Sequence, residues 1–145
     1  MNKFIKNKKV TICGLGIIGL PLMALLSSKN IDVHGFDIDR EKLNKIKRNE
    51  LKFNEKELDD LVEKFIVKKR INLSTTLTKS EVYIICVPTP INKNKKFDSF
   101  YIESCFKTII PILNVNDLII IESTCEPNTT QKIFKNIKKN RPDLF

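Results

Sequence analysis

Histidine and closely spaced cysteines, the residues from which most metal sites are built, are scarce in this sequence. His34 is the only histidine among 145 residues, and the four cysteines form no Cys-x-x-Cys pair: Cys13, Cys86, Cys105 and Cys125. A zinc site needs several such ligands at short spacing, so no metal site is predicted. Three of the cysteines, and His34, fall in apolar strand or helix patterns, where we interpret them as structural residues.

Long apolar runs are also missing. No stretch of 18 or more apolar residues occurs, so no transmembrane helix is predicted. The lysine-rich first nine residues lead into an apolar run that is broken by glycines and lacks a small-residue cleavage site. We therefore expect no signal peptide, a cytoplasmic location and no membrane partner. The length suits one core, and residues 1–145 are taken as one domain.

Acidic residues are few relative to basic ones: 17 against 26, a net charge of +9. An excess of positive charge raises the alternative of a nucleic-acid-binding domain. The lysines are scattered over predicted helix faces and loops, including the loop 92–97, and do not form one patch with regularly interleaved aromatic residues that could stack on bases. Charge alone supports weak, non-specific binding. We favour a solvated lysine surface and predict no nucleic-acid partner.

The few glycines are concentrated in one motif. Three of the four lie in Gly14-Leu15-Gly16-Ile17-Ile18-Gly19, between an apolar run and an apolar helix pattern. Such a turn lets the backbone approach a pyrophosphate, and the following helix N-terminus offers free N–H groups and a favourable dipole. Asp37 ends the next apolar run, at the spacing at which an acid accepts hydrogen bonds from the adenosine ribose. We favour a dinucleotide site over a strand-to-helix turn without a ligand.

Alternating strand and helix patterns predict an α/β fold. Strands are predicted at residues 8–13, 31–36, 71–74, 82–87 and 118–121. Helices are predicted at about residues 17–29, 39–49, 58–66, 98–110 and 129–139. Asp39 and Asp98 are predicted N-caps, and Pro21 is accommodated in a first helical turn. The fourth helix is predicted to bury a stripe of six residues: Tyr101, Ile102, Cys105, Phe106, Ile109 and Ile110.

This order of elements predicts a Rossmann-type doubly wound parallel sheet. It would have five strands with helices on both faces, and the sixth strand of that fold is missing from the predicted elements. The ligand is expected across the carboxyl ends of the strands.

Four short signatures together resemble the UDP-glucose/GDP-mannose dehydrogenase family. They are GxGxxGLP at 14–21, Gly-x-Asp at 35–37, Pro-Thr-Pro at 88–90 and Glu-Ser-Thr at 122–124. Their order and spacing are similar to the family's N-terminal NAD-binding domain over nearly the whole chain, and the last two look most like UDP-N-acetylhexosamine 6-dehydrogenases. The resemblance implies an NAD-dependent oxidoreductase for polysaccharide biosynthesis. Such enzymes oxidise the primary alcohol of a UDP-sugar to a carboxylate in two steps, with two NAD and a cysteine-bound intermediate.

The resemblance also implies roles for individual residues. Gly14, Gly16 and Gly19 would form the pyrophosphate turn, with backbone N–H groups from Ile17 and Ile18. Asp37 would hold the adenosine ribose, with Arg40 near enough in sequence to reduce the preference for NAD over NADP. Val87, Pro88 and Thr89 would line the strand-end crevice beside the cofactor. Ser123 and Thr124 would lie near the nicotinamide. Thr124 also matches the threonine thought to position the catalytic water.

The sequence departs from the family pattern in two places. Pro127-Asn128-Thr129-Thr130 replaces Pro-Gly-Thr-Thr, and asparagine tolerates a left-handed backbone better than most residues. The family's sixth strand with a glutamate, its linker helix with a lysine and its second domain with the nucleophilic cysteine have no counterpart, and Cys125 does not match that cysteine. We expect an NAD-binding domain that is inactive alone, from a family whose full-length members bind UDP-sugars and can form oligomers. The alternative is a stand-alone dinucleotide-binding module without redox chemistry.

Overall fold

Five parallel strands form one sheet in the order β3-β2-β1-β4-β5 in a computed structural model that describes residues 7–67, 72–91 and 98–145. The strands are β1 (Val10–Cys13), β2 (Val33–Phe36), β3 (Asn72–Ser74), β4 (Val82–Ile85) and β5 (Leu118–Ile121). Every residue of β1, β2 and β4 is buried, as expected of parallel strands covered on both faces. The chain runs outward from β1 in both directions, so a crevice opens between the carboxyl ends of β1 and β4.

Helices cover both faces of the sheet. They are α1 (Gly19–Ser28), α2 (Arg40–Lys47), α3 (Lys56–Val62), α4 (Phe100–Ile109) and α5 (Thr129–Asn140). A first apolar core lies between the sheet and α1 to α3, and it contains Ile12, Met23 and Ile46. A second core contains Tyr83 and Phe106 and packs against α4 and the inner side of α5. The predicted five-stranded Rossmann-type architecture is confirmed.

Helix boundaries follow local rules at three predicted positions. Asp39 is the N-cap of α2, and its Oδ1 accepts a hydrogen bond from the N–H of Lys42 at 3.0 Å. Pro21 is the third residue of α1, where its missing N–H has no intrahelical partner to lose. Asn128 precedes α5 with φ 68°, the left-handed conformation expected of an asparagine in place of glycine.

The predictions for α4 were partly wrong. The N-cap is Ser99, not Asp98, although Asp98 Oδ1 accepts the N–H of Phe100 at 2.9 Å. Tyr101 is 39% exposed, because the buried residues of this helix recur at 102, 105, 106 and 109 and Tyr101 lies beside that stripe. Ile71, the predicted first residue of β3, and the loop 92–97 lie outside the described residues.

The predicted helix over 58–66 changes its geometry partway. α3 ends at Val62, and Glu63–Val67 continue it as a π-helical turn. Val62 and Ile66 are nevertheless buried in the first core, as the spacing of the apolar residues predicts. This segment lies beside α1 and helps to fix the helix that follows the glycine turn.

Candidate functional site

Two of the glycines are required by close packing at the end of β1. Gly14 has φ 95°, and a Cβ there would lie 2.7 Å from the carbonyl oxygen of Cys86. A Cβ on Gly19 would collide with the carbonyl oxygen of Gly14. These contacts hold the end of β1 against the chain after β4 and bring the start of α1 down onto the turn. Side chains at either position would separate these elements.

Gly16 differs from the other two because its open side faces a cleft. A Cβ on Gly16 would have no atom within 4 Å, and Gly16 lines a cleft of about 390 Å³ at the strand ends. The N–H groups of Gly16, Ile17 and Ile18 have no hydrogen-bond partner among the described residues. Ile17 is 79% exposed and Ile18 59% exposed at the same edge. The turn thus presents free donors and open space at a helix N-terminus, which suits a pyrophosphate.

Asp37 connects the glycine turn to the end of β2. Its side chain is only 5% exposed. Oδ2 accepts the N–H of Leu15 at 2.9 Å, and Oδ1 accepts the N–H of Asp39 at 2.9 Å. These bonds fix the orientation of the carboxylate, which lines the cleft beside Gly14 and Gly16. A buried carboxylate aimed at the cleft is the group that the sequence predicted for ribose binding.

Lys42 is a cleft residue that the sequence analysis missed. Its Nζ donates to Asp37 Oδ2 at 2.8 Å, and its side chain, 32% exposed, lines the cleft. Arg40, the predicted basic residue, is exposed at the start of α2 and does not line this cleft. Helical geometry could have identified Lys42 from the sequence. With Asp39 as the N-cap, Lys42 is the third residue of the helix, which places it about one turn from the cap and beside Asp37.

The opposite wall of the cleft comes from the chain after β4 and β5. It contains the predicted Val87, Pro88, Thr89, Ser123 and Thr124, together with Cys86 and Glu122. Ser123 Oγ donates to the carbonyl oxygen of Val87 at 2.8 Å, so this hydroxyl ties the two strand ends together. The structure therefore brings every predicted cofactor residue except Arg40 to one place, with Gly19 beneath the turn.

A second cavity adjoins the cleft at Thr89 and Thr124, which line both. It has a volume of about 310 Å³ and lies between α4 and α5. Its floor is apolar, with Ile102, Phe106 and Ile133, and Cys125 is among its lining residues. Thr89 and Thr124 thus lie where the cleft joins this second cavity.

Two thiols in or beside the cleft are held in the protonated form, the half-buried Cys86 and the buried Cys13. Burial, reinforced by the nearby Glu122 carboxylate, raises the pKa of Cys86 to about 11. A hydrogen bond with Cys105, together with burial, raises the pKa of Cys13 well above its ordinary value. A protonated thiol is a weak nucleophile, so neither group is suited to covalent catalysis at neutral pH.

His34 lies in the middle of β2, outside the cleft. It is 6% exposed, and burial together with nearby Lys9 lowers its pKa, so its imidazole is neutral. Among the described residues, no group of three or more histidine, cysteine or acidic side chains is placed to hold a metal ion. Within the same residues, no helix has the length and apolar character needed to cross a membrane.

Comparison with known proteins agrees with this geometry. Residues 8–144 match the UDP-glucose/GDP-mannose dehydrogenase family, NAD binding domain. The UDP-N-acetyl-D-mannosamine dehydrogenase of Methanococcus maripaludis strain C7 is 41% identical over 136 residues, which are 91% of this chain and 32% of that protein. The enzyme of the same name from Escherichia coli K12 is 33% identical over 93% of this chain and 32% of its own length. The chain thus spans about a third of the relatives it matches.

Solved structures share the same arrangement of strands and helices. The UDP-N-acetyl-mannosamine dehydrogenase Cap5O from Staphylococcus aureus superimposes with a TM-score of 0.83 at 32% identity, over 92% of this chain and 33% of that one. GDP-mannose dehydrogenase from Pseudomonas aeruginosa gives 0.79 at 26% identity, over 90% and 32%. Because the family match covers nearly the whole chain and includes the glycine turn, Asp37 and both strand-end segments, the chain belongs to the UDP-glucose/GDP-mannose dehydrogenase family and is an NAD-binding domain of that family.

Proposed function

We propose that this chain is the cofactor-binding part of a nucleotide-sugar 6-dehydrogenase. The proposed substrate is a UDP-N-acetylhexosamine, with UDP-N-acetyl-D-mannosamine favoured because several relatives carry that name. The proposed reaction oxidises the primary alcohol of the sugar to a carboxylate, with the cytoplasm as the site of action and a polysaccharide precursor as the product. One observation supports the proposal that the chain binds the cofactor. The free N–H groups of the glycine turn and the oriented carboxylate of Asp37 line the same cleft.

Each wall of the cleft has a proposed role. The N–H groups of Gly16, Ile17 and Ile18 would bind the pyrophosphate, and Asp37 would accept hydrogen bonds from the adenosine ribose hydroxyls. Lys42 would add a cation close to these hydroxyls and to the phosphates. Thr89 and Thr124 would flank the nicotinamide end. NAD supplies the hydride acceptor when it is bound, while these residues bind and orient it.

The first prediction concerns cofactor preference and affinity. NAD is expected to bind more tightly than NADP, because the Asp37 carboxylate repels a 2′-phosphate and accepts a hydrogen bond from a 2′-hydroxyl. The free-energy gain should come mainly from the adenosine and pyrophosphate contacts, giving a Kd of about 0.1–1 mM. ADP-ribose should therefore bind about as well as NAD. Isothermal titration calorimetry with NAD, NADP and ADP-ribose measures all three.

Two results of that titration would contradict the prediction. NADP binding as tightly as NAD would show that Lys42 outweighs Asp37 in the cleft. A large loss of affinity on removing nicotinamide would show that the region around Thr89 and Thr124 holds that ring strongly. AMP serves as a control, because it lacks the pyrophosphate and should bind more weakly than ADP-ribose.

The second prediction is that the 145-residue chain does not turn over UDP-sugars. Oxidation beyond the aldehyde needs a nucleophile that holds the carbonyl carbon while a second hydride leaves. The Cys86 thiol is protonated at neutral pH, with its pKa raised to about 11, and Cys125 matches no family motif for that role. NAD with UDP-N-acetylmannosamine, UDP-N-acetylglucosamine or UDP-glucose should give no rise in absorbance at 340 nm above the blank.

Activity that survives repurification would overturn this prediction. A Cys125→Ser variant then identifies the source, because loss of that activity would assign the nucleophile to Cys125. The matched control is Cys105→Ser, which changes a cysteine in the second core, away from the cleft.

A further inference from the structure

The connection from β3 to β4 is unusually short for a parallel crossover. Parallel strands are normally joined by about a dozen or more residues that include a helix. Here residues 75–81 make the whole connection without a helix, although the chain must pass β2 and β1 to reach β4. Ser80 fixes the end of this segment to β1, where its Oγ lies 2.7 Å from Thr11 Oγ1. Beside β2 and β3, the short connection leaves a cavity of about 500 Å³.

Polar side chains of two neighbouring strands line this cavity. His34 of β2 is paired with Asn72 of β3, and Phe36 is paired with Ser74. Side chains two residues apart in a strand share a face of the sheet, so this lining lies on the face that Phe36 shares with the second core. The remaining lining residues come from the start of β1, the end of α2, β3 and the crossover: Lys9, Lys47, Leu73 and Thr78.

Two buried polar atoms at this cavity have no hydrogen-bond partner. His34 is only 6% exposed, and neither its Nε2 nor Thr78 Oγ1 is paired with a group of the described residues. The hydrogen bond of the imidazole with the backbone carbonyl of Thr76 therefore uses the other ring nitrogen, Nδ1. A neutral imidazole with its proton on Nδ1 has an acceptor at Nε2. Because buried polar groups are normally paired, both atoms require a partner that enters from the cavity.

The charges around the cavity favour an anion. Lys9 and Lys47 line it, and neither forms an ion pair within the part of the chain that the structure describes. No acidic or aromatic side chain is among the described lining residues. Glu81, at the end of the crossover, is engaged by Lys8 Nζ at 2.8 Å and by the N–H of Lys9 at 3.1 Å. The ligand is therefore negatively charged and small, without a base or ring that needs an aromatic or apolar surface.

We propose that this cavity binds inorganic phosphate in its hydrogen-bearing forms. The two lysine ammonium groups and the hydroxyl of Thr78 would donate to phosphate oxygens. The P–O–H group would donate to Nε2 of His34. Burial and nearby Lys9 lower the pKa of His34, and Asp32 opposes this only weakly, so the imidazole is neutral at pH 7.5. Sulfate has a similar shape and charge but carries no proton at that pH, so it cannot pair with Nε2.

His34 is the only histidine of the chain and therefore reports on its own cavity. In ¹⁵N-labelled protein at pH 7.5 and constant ionic strength, its Nε2 signal should shift saturably with phosphate, with a Kd of about 1–10 mM. Sulfate should bind about fivefold more weakly, because one hydrogen bond is missing. NAD should leave the signal unchanged, since His34 lies outside the cleft at the glycine turn.

Substitutions in the lining separate this site from general attraction of anions. Lys47→Met and Thr78→Val should each raise the Kd for phosphate about fivefold, and circular dichroism checks that both variants fold. Lys45→Met is the matched control for charge: Lys45 lies on the same helix, pairs with Glu41 at 3.1 Å and does not line the cavity. Gly16→Val obstructs the proposed pyrophosphate site and should leave the response of His34 to phosphate unchanged.

Three results would overturn the proposal. The absence of a saturable shift up to 50 mM phosphate would leave Nε2 of His34 and Oγ1 of Thr78 to ordered water. Equal losses in Lys47→Met and Lys45→Met would show that the net positive charge attracts phosphate without a defined site. Equal affinity for phosphate and sulfate at pH 7.5 would show that no P–O–H group donates to His34.

Discussion

Gly16→Val is expected to abolish measurable NAD binding while leaving the fold intact. A Cβ at position 16 has no protein atom within 4 Å and would project into the cleft, where the pyrophosphate is proposed to lie. The two methyl groups of valine would extend further into that space and displace the ligand from the free N–H groups of the turn. We expect at least a thirtyfold rise in Kd for NAD, with the free energy of unfolding changed by less than about 0.5 kcal/mol.

Neighbouring glycines provide the matched controls for this prediction. Gly14→Ala and Gly19→Ala should lower stability by about 2–4 kcal/mol, since each added Cβ meets backbone atoms that cannot yield. Urea unfolding and calorimetry on the three variants separate the two effects. If Gly16→Val destabilised the chain as much as Gly19→Ala, glycine at position 16 would be needed for packing of the protein and not for ligand binding. If Gly16→Val bound NAD normally, the pyrophosphate would lie elsewhere.

Asp37→Asn is expected to invert the cofactor preference. The substitution removes the negative charge that opposes a 2′-phosphate, and it releases the Lys42 ammonium, which now donates to Asp37 Oδ2 at 2.8 Å. A freed lysine can pair with the 2′-phosphate of NADP. We expect NAD to bind about tenfold more weakly, because one charge-assisted hydrogen bond to the ribose is lost, and NADP to bind about tenfold more tightly.

Lys42 is tested by completing the double-mutant cycle. Lys42→Met alone should weaken both cofactors, and Asp37→Asn with Lys42→Met should lose the gain in NADP affinity. Arg40→Met is the matched control, because Arg40 is exposed and lies outside the cleft. The gain in NADP affinity could instead persist in Asp37→Asn with Lys42→Met and disappear in Asp37→Asn with Arg40→Met. That result would assign the phosphate contact to Arg40. The coupling energy measured between Asp37 and each basic residue shows whether Lys42 or Arg40 contacts the 2′-phosphate.

Local sequence rules account for the parts of the site that depend on neighbours in the chain. The glycine turn needs a positive φ at Gly14, and the N-cap at Asp39 depends on a residue three positions away. The burial of β4 follows from its apolar sequence, whereas β1 and β2 also bury the polar Thr11 and His34. The spacing of Asp37 from the turn predicted the cleft, because parallel strands end at the same edge of a sheet.

Contacts between distant segments decided the rest. The hydroxyl of Ser123 donates to the carbonyl oxygen of Val87, which is 36 residues away in the sequence. No local sequence pattern indicates this hydrogen bond. Gly19 is needed because α1 descends onto Gly14, a contact that exists only once helix and strand are packed. Lys42, not Arg40, reaches Asp37 because the helical phase of α2 directs it inward. Sequence alone thus determined the kind of ligand, through short-range backbone requirements, whereas tertiary packing decided which side chains face it, since that depends on how separate elements meet.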